Sequence, residues 1–119
     1  MIFFDSYAII ETIKGNPNYE KYQNETIITN TLNLSEVFYS LIKQTDEKIA
    51  REIIKKIKFE FIEIDENIAI NSAIFRHKNK EKSLSYADCI GYITSIKNNL
   101  TFITGDKEFK NLPKVEFIK

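Results

Sequence analysis

Apolar residues along this chain follow two alternating patterns: short continuous runs, and longer segments in which they recur every three or four positions. The short runs predict strands at residues 2–4, 26–29, 59–64, 100–103 and 115–118. The recurring pattern predicts helices between the strands, with start or stop signals at Lys14-Gly15, Asp46, Asp65 and Ser85. Strands that alternate with helices are joined by right-handed crossovers, so we expect an α/β fold with a parallel sheet covered on both faces.

Length and composition bound the class of protein. The chain has 119 residues, 43% of them hydrophobic, which suits one domain over 1–119 with its own core. Cys89 is the single cysteine, so an internal disulfide and a cysteine-based zinc site are excluded. The apolar run after Met1 ends at Asp5, and no run approaches the length of a membrane span. We therefore expect a cytoplasmic protein without a signal peptide or a membrane contact.

Four acidic residues occupy positions where a metal site can form. Asp5 and Asp106 follow the first and fourth predicted strands, and parallel strands place such ends at the edge of the sheet where ligands bind. Glu36 and Asp88 stand in helical segments among apolar neighbours. Carboxylates gathered at one edge stay ionised together only when a cation shares the site. Mg²⁺ or Mn²⁺ prefers such oxygen ligands, and a site of this kind suits phosphodiester hydrolysis.

Each of these residues also has a purely structural interpretation. Asp5 can act as a helix N-cap, and Asp106 as a turn residue after Gly105. Glu36 lies opposite the apolar stripe of its helix, which favours a solvated position, and Asp88 lies at the flank of its stripe. From the residues alone, both interpretations stay open.

Four segments stand in order along nearly the whole chain: Phe3-Phe4-Asp5-Ser6, Asn33-Leu34-Ser35-Glu36, Leu84-Ser85-Tyr86-Ala87-Asp88 and Ile103-Thr104-Gly105-Asp106-Lys107-Glu108-Phe109. In order and spacing they resemble the motifs of PIN-domain ribonucleases, of the kind typified by VapC toxins. Each motif alone is weak, but the four together are specific. The chain departs from the usual pattern at Asn33, where Thr or Ser often opens the helix, and at Lys107-Glu108, where many members carry another acidic residue.

The resemblance implies a three-layer α/β/α sandwich with a central, mainly parallel sheet and a metal-dependent endoribonuclease site that leaves a 5′-phosphate. It implies that Mg²⁺ or Mn²⁺ is bound, and the attacking water oriented, by Asp5, Glu36, Asp88 and Asp106. Supporting hydroxyls would come from Ser6 and Thr104. It further implies an RNA substrate, a homodimer, and a small antitoxin protein encoded next to the toxin.

The densest basic stretch, residues 76–82, has two interpretations. It can hold RNA phosphates beside the acidic site, or its cations can face the end of a helix dipole and a solvated loop. The candidate RNA-binding residues are Arg76, Lys78, Lys80 and Lys82. His77 is the single histidine and is expected at the surface, whereas Cys89 is expected in the core. Tyrosines near the acidic positions either stack on bases or form edges of the core; they are Tyr7, Tyr39, Tyr86 and Tyr92.

Two other functions stay open at this stage. A receiver-type signalling domain has a similar length and sheet, and Asp65 would then be the phosphoacceptor. That family has a pair of acidic residues after its first strand, whereas here Asp5 is followed by Ser6. The second alternative is a catalytically silent PIN fold that only binds RNA or a partner protein.

Charge distribution bears on the choice between these classes. The 17 basic and 17 acidic residues give a formal net charge of zero, which argues against a passive nucleic-acid coat. If the four acidic candidates share one metal site, the other 13 acidic residues face 17 basic ones. The rest of the molecule is then mildly basic, which favours an enzyme with a concentrated acidic site.

Overall fold

The computed structural model describes all 119 residues. Its strands are β1 (Ile2–Phe4), β2 (Ile27–Thr29), β3 (Phe59–Phe61), β4 (Thr101–Thr104) and β5 (Val115–Phe117). Its helices are α1 (Ser6–Lys14), α2 (Thr31–Gln44), α3 (Glu47–Lys55), α4 (Glu66–Lys78) and α5 (Tyr86–Lys97). Short 3-10 segments cover Pro17–Tyr22 and Lys107–Phe109. None of the helices combines the length and the apolar character needed to cross a bilayer.

The predicted start and stop signals are confirmed at the helix ends. Asp46, Asp65 and Ser85 each accept a hydrogen bond from a backbone N–H in the first turn of the helix that follows. Gly15 ends α1 in the left-handed conformation, with φ at 79°, which glycine adopts without steric cost. The local signals in the sequence were therefore sufficient to place these boundaries.

The predicted strand at 59–64 is shorter in the structure. The Ile62 N–H still donates to the Thr29 carbonyl at 2.9 Å, but β2 ends there because Asn30 caps α2. A strand without a partner cannot continue its ladder, so the chain leaves the sheet after Phe61. The two 3-10 segments were not predicted.

Every strand pair in the sheet is parallel. The strand β4 lies between β1 and β5, and β2 pairs with β3. The strands β1 and β2 lie side by side without a backbone ladder. The Thr29 side chain joins them, because its Oγ1 donates to the Phe4 carbonyl at 2.8 Å.

The core lies on both faces of the sheet because neighbouring strand residues point to opposite sides. Phe4 and Ile103 pack with residues of α1, α2 and α3, whereas Phe3 and Phe102 pack with residues of α5. All four side chains are almost fully buried. Helices thus cover both faces, which confirms the predicted three-layer α/β/α sandwich.

The helix α4 is the element whose buried face was predicted wrongly. Ile68, Ala69, Ala73 and Ile74 recur at helical spacing and predict one buried stripe, but the last three are exposed, and Ile68 is buried together with Ser72. The Ser72 hydroxyl donates to the Ile68 carbonyl at 2.6 Å, so burial leaves it satisfied.

Candidate active site

The carboxyl ends of β1 and β4 meet at a pocket of about 500 Å³. It contains all four predicted acidic side chains, Asp5, Glu36, Asp88 and Asp106. The first and last follow strands β1 and β4, as the topology of a parallel sheet requires. The remaining lining comes from Ser6, Tyr7, Ile10, Gly105, Lys107 and Lys119.

Asp5 is the most buried acid of the pocket, with 7% of its surface exposed. Its Oδ1 accepts the Ala8 N–H at 2.8 Å, so it caps α1 while facing the pocket. Burial raises the pKa of Asp5 to about 7, and the charges of Asp88 and Asp106 add to the rise. Hydrogen bonds from Thr104 and Ala8 oppose the rise. Asp5 therefore carries its charge at a high free-energy cost unless a cation is present.

Asp106 is held by the turn that follows β4. Its N–H donates to Thr104 Oγ1 at 3.0 Å, and its Oδ1 accepts the Glu108 N–H at 3.0 Å. Gly105 is required between them, since a Cβ there would lie 2.1 Å from the Tyr7 ring and 2.6 Å from the Ile118 carbonyl oxygen. The absence of a side chain at this position lets the turn pack closely.

Asp88 belongs to a capping box at the start of α5. Its Oδ2 accepts the Ser85 N–H at 2.8 Å, and its own N–H donates to Ser85 Oγ at 3.1 Å. Burial raises the pKa of Asp88, and the nearby Asp106 charge raises it further. The two carboxylates are thus close enough to interact.

Glu36 lies on the exposed side of α2, as its helical position indicates, and it also lines the pocket. Its Oε1 accepts a hydrogen bond from Ser6 Oγ at 2.6 Å. The Ser6 hydroxyl also lies 2.8 Å from Asn33 Oδ1. Asn33 was not predicted as a site residue and was expected to open the helix; the cap is Asn30, and Asn33 lies buried one turn later.

The structural and functional interpretations of the aspartates are both satisfied. Asp5 and Asp106 cap helical segments, and Asp88 completes a capping box, yet all three line the pocket. Caps fix a carboxylate against backbone N–H groups, which holds it in one orientation. Local structure therefore positions the side chains that the pocket brings together.

Comparison with models of protein families identifies the family of this chain. The model of the PIN domain matches residues 2–115, almost the whole chain. The chain belongs to the PIN domain family. No curated protein matches it by sequence.

Solved structures share the PIN fold over nearly the full length. VapBC2 from Rickettsia felis, bound to a DNA fragment from its promoter, is similar with a TM-score of 0.79, 19% identity and full coverage of both chains. The VapC20 toxin of Mycobacterium tuberculosis, described as cleaving the sarcin–ricin loop, has a TM-score of 0.76, 14% identity and full coverage of both. A toxin–antitoxin complex from Klebsiella pneumoniae has a TM-score of 0.72 and 23% identity, covering 98% of this chain and 96% of its own.

The receiver-type alternative is wrong for a PIN domain, and its proposed phosphoacceptor lies elsewhere. Asp65 is an exposed N-cap of α4, accepting the Ile68 N–H at 2.8 Å, and does not line the acidic pocket. His77 is exposed and Cys89 is buried, as predicted. Of the four tyrosines, Tyr39 and Tyr86 are exposed, whereas Tyr92 is buried and Tyr7 half-buried.

The donor set of the acidic pocket fits a hard divalent cation. All four candidate side chains offer carboxylate oxygens, the ligands that Mg²⁺ and Mn²⁺ prefer. No three His, Cys, Asp or Glu side chains lie close enough to hold one ion together. Mg²⁺ fits such an arrangement because it keeps several waters and commonly binds through one or two carboxylates.

The largest cavity of the molecule, about 750 Å³, lies at the opposite ends of the strands. It is lined in part by Met1, Thr26 and Lys58, which precede or begin β1, β2 and β3. Half of its twelve lining residues are hydrophobic, and none of the four motif acids contributes to it. Cavity size therefore does not mark the candidate active site; the shared carboxylates do.

Proposed function

We propose that this PIN domain is a metal-dependent endoribonuclease and the toxin of a toxin–antitoxin pair. The observation that carries the proposal is one pocket at the carboxyl edge of the sheet, where the four motif acids of a PIN sequence converge. The fold neighbours support it, since they include toxin–antitoxin complexes and a toxin described as cleaving the sarcin–ricin loop.

The side chains of the pocket have distinct roles in this proposal. Mg²⁺ or Mn²⁺ would be bound directly by one or two of Asp5, Asp88 and Asp106, and through water by the rest. When bound, such an ion lowers the pKa of a water and offsets charge on the phosphate oxygens. Glu36, whose Oε1 is held by Ser6, orients the attacking water, and Thr104 steadies Asp5 and Asp106. Water adds to phosphorus, the P–O3′ bond breaks, and the products are a 5′-phosphate and a 3′-hydroxyl.

Cleavage of a mixed RNA pool with end mapping tests the proposal. We expect cleavage with Mg²⁺ or Mn²⁺, none with EDTA, and products with 5′-phosphate ends. We expect Asp5→Asn to lower the rate by more than about 100-fold, because one of the charges that hold the ion is lost. Asparagine is an equally good N-cap, so α1 keeps its first hydrogen bond.

Asp65→Asn is the matched control, since Asp65 also caps a helix but lies outside the acidic pocket. We expect this variant to cleave at the parent rate. Equal cleavage by Asp5→Asn and the parent contradicts the assigned site. RNA binding without any metal-dependent turnover contradicts the nuclease and favours the silent PIN alternative.

The proposed antitoxin and the second copy of the chain need surfaces of their own. An open apolar groove of about 570 Å³ lies between α2 and α3, lined by Leu34, Phe38, Ile42 and Ile54 among others. We assign this groove to an apolar helix of the antitoxin. If a small reading frame lies next to the gene, as the proposal requires, co-expression with its product should yield an inhibited complex that Ile42→Asp disrupts. Ile74→Asp changes an equally exposed isoleucine outside the groove and should leave the complex intact.

The homodimer is proposed separately from the antitoxin complex. Sedimentation of the purified protein should then give about twice the 14.0 kDa mass of one chain. A monomer at micromolar concentration contradicts the dimer without affecting the proposed cleavage.

A further inference from the structure

A second polar cavity, of about 250 Å³, lies at the end of α4 and beside the start of α5. Four of its seven lining residues are basic: Arg76, His77, Lys80 and Lys82. The others are Ala73, Leu84 and Tyr86, so no acidic residue lines it. We call it the basic pocket.

The spacing along α4 explains which cations reach the basic pocket. Ala73, Arg76 and His77 follow the i, i+3, i+4 pattern on one side of α4, and Lys80 comes from the turn after the helix, which ends at Lys78. Lys78 lies two positions from Arg76, on the other side, and is not part of the lining. The basic stretch is therefore divided between a pocket and a solvated face.

Arg76 is held in place from two directions. Its Nε donates to the Leu84 carbonyl at 3.1 Å, and its guanidinium lies over the Tyr86 ring at 4.4 Å from the centroid. No carboxylate forms an ion pair with it. A guanidinium fixed by a carbonyl and a ring keeps its remaining N–H groups for an anion, and its planar fork matches a phosphate.

The lysines of the basic pocket are also without acidic partners. Lys80 and Lys82 form no ion pair within the chain. The Lys82 ammonium donates to the Glu108 carbonyl at 3.3 Å, which ties this loop to the turn after Asp106. Several cations facing one small cavity repel one another, and an anion between them removes that repulsion.

The basic pocket and the acidic pocket are neighbours. Tyr86 of the basic pocket lies two residues before Asp88 of the acidic one, at the start of α5. Lys82 contacts the backbone two residues after Asp106. A strand whose phosphodiester lies among the carboxylates thus has a basic cavity beside it.

We propose that the basic pocket is a phosphate subsite that holds a neighbouring backbone phosphate of the RNA, with Arg76, Lys80 and Lys82 as its ligands. This inference rests on the proposed function, because it names the second contact of the same substrate. A cavity of this size with converging donors fits a compact tetrahedral anion better than an extended acidic peptide. The subsite would fix the register of the strand against the acidic pocket.

Binding of a short single-stranded RNA in EDTA tests the subsite without cleavage. The matched pair is Lys80→Ala and Lys78→Ala, since both lysines are exposed and neither side chain forms a hydrogen bond or ion pair. We expect Lys80→Ala to weaken binding about 3- to 10-fold. We expect it to reduce the slope of log K against log salt by about 0.7, the value for one single-strand phosphate contact. Lys78→Ala should leave the slope unchanged.

Two further variants separate charge from geometry. Arg76→Lys keeps the charge but loses the planar fork, so the affinity should fall while the salt slope is retained. Lys82→Ala should behave like Lys80→Ala. Circular dichroism melts check that each variant is folded, and Lys80→Ala decides the question if Arg76→Lys is unstable.

Each outcome decides for or against the subsite. Equal losses from Lys78→Ala and Lys80→Ala mean diffuse attraction and overturn it. Inorganic phosphate that competes with RNA, but only in proteins with an intact basic pocket, supports it. If the pocket binds phosphate but RNA affinity is the same in all these variants, the pocket is a site for free phosphate. If RNA affinity is unchanged but the variants no longer bind a polyglutamate probe, the pocket is a site for an acidic protein segment. Both results overturn the proposal.

The test also separates this proposal from the nuclease proposal. Metal-dependent cleavage with unchanged RNA affinity in the pocket variants removes the subsite and leaves the nuclease. Lost affinity in those variants, without cleavage by the parent protein, removes the nuclease and leaves the subsite.

Discussion

The acidic and basic pockets are neighbours that share the first turn of α5, yet they are built in opposite ways. In the acidic pocket, Asp5 is 7% exposed and bonded to a backbone N–H. In the basic pocket, Tyr86 is 59% exposed, and Arg76 and Lys80 are exposed residues at the end of α4 and in the turn that follows it. The groups that need a shifted pKa and a fixed orientation are buried, whereas the groups that attract a charged strand are exposed at the surface.

This difference sets the size of the effects that substitutions should have. Burying a charge costs several kcal/mol, and a substitution near a buried charge changes its free energy with little screening by water. Exposed charges are screened by water and salt, so each contributes about 1 kcal/mol or less. The comparison therefore predicts large, pH-dependent effects in the acidic pocket and small, salt-dependent ones in the basic pocket.

The largest effect tests the buried half of this comparison, through the stability of Asp5→Asn. The pKa of Asp5 rises from 3.8 to about 7 on folding, so the metal-free folded protein binds the proton more tightly than the unfolded chain. The contribution of Asp5 to stability is then fully present below pH 3.8 and is lost as the pH rises through about 7. The full shift corresponds to about 4 kcal/mol as an upper bound. We expect Asp5→Asn to unfold at a higher denaturant concentration than the parent at pH 8, in EDTA, and at a similar one near pH 4.

Asp46→Asn provides the exposed counterpart. Asp46 caps α3 through the Ile49 N–H at 2.8 Å, but it is exposed to solvent. This variant should show no pH-dependent gain over the parent. A parent protein whose stability exceeds that of Asp5→Asn at pH 8 in EDTA contradicts the burial cost assigned to Asp5.

The sequence predicted one half of the acidic pocket from topology and the other half only through the family resemblance. Asp5 and Asp106 follow strands, and the rule for parallel sheets places both at one edge. Glu36 faces away from the core of its helix, so periodicity alone indicates solvent. Its role depends on Ser6, 30 residues away, and a contact of that kind has no signature in local sequence.

Two parts of the molecule escaped prediction for identifiable physical reasons. Lys119 lines the acidic pocket because β5 brings the end of the chain back to the pocket. No local sequence pattern predicts this contact. The predicted RNA-binding set joins Arg76, Lys78, Lys80 and Lys82, but helical geometry separates Lys78 from Arg76, and Lys80 and Lys82 lie beyond the end of α4. The apolar residues of α4 likewise predicted a buried stripe that includes Ile74, but Ile74 is exposed.

The smallest effect tests the exposed half of the comparison, through Tyr86. Its ring supports the Arg76 guanidinium, and a cation–π contact at an exposed site contributes about 0.5–1 kcal/mol. We expect Tyr86→Leu to weaken RNA binding in EDTA by about two- to fivefold, while Tyr86→Phe, which keeps the ring, stays close to the parent. Tyr39→Leu is the control, because Tyr39 is also exposed and lies under the Lys43 ammonium at 4.8 Å, but outside both pockets. Equal losses from Tyr86→Leu and Tyr39→Leu would mean that exposed tyrosines contribute generally and that the ring beneath Arg76 has no special part in holding the strand.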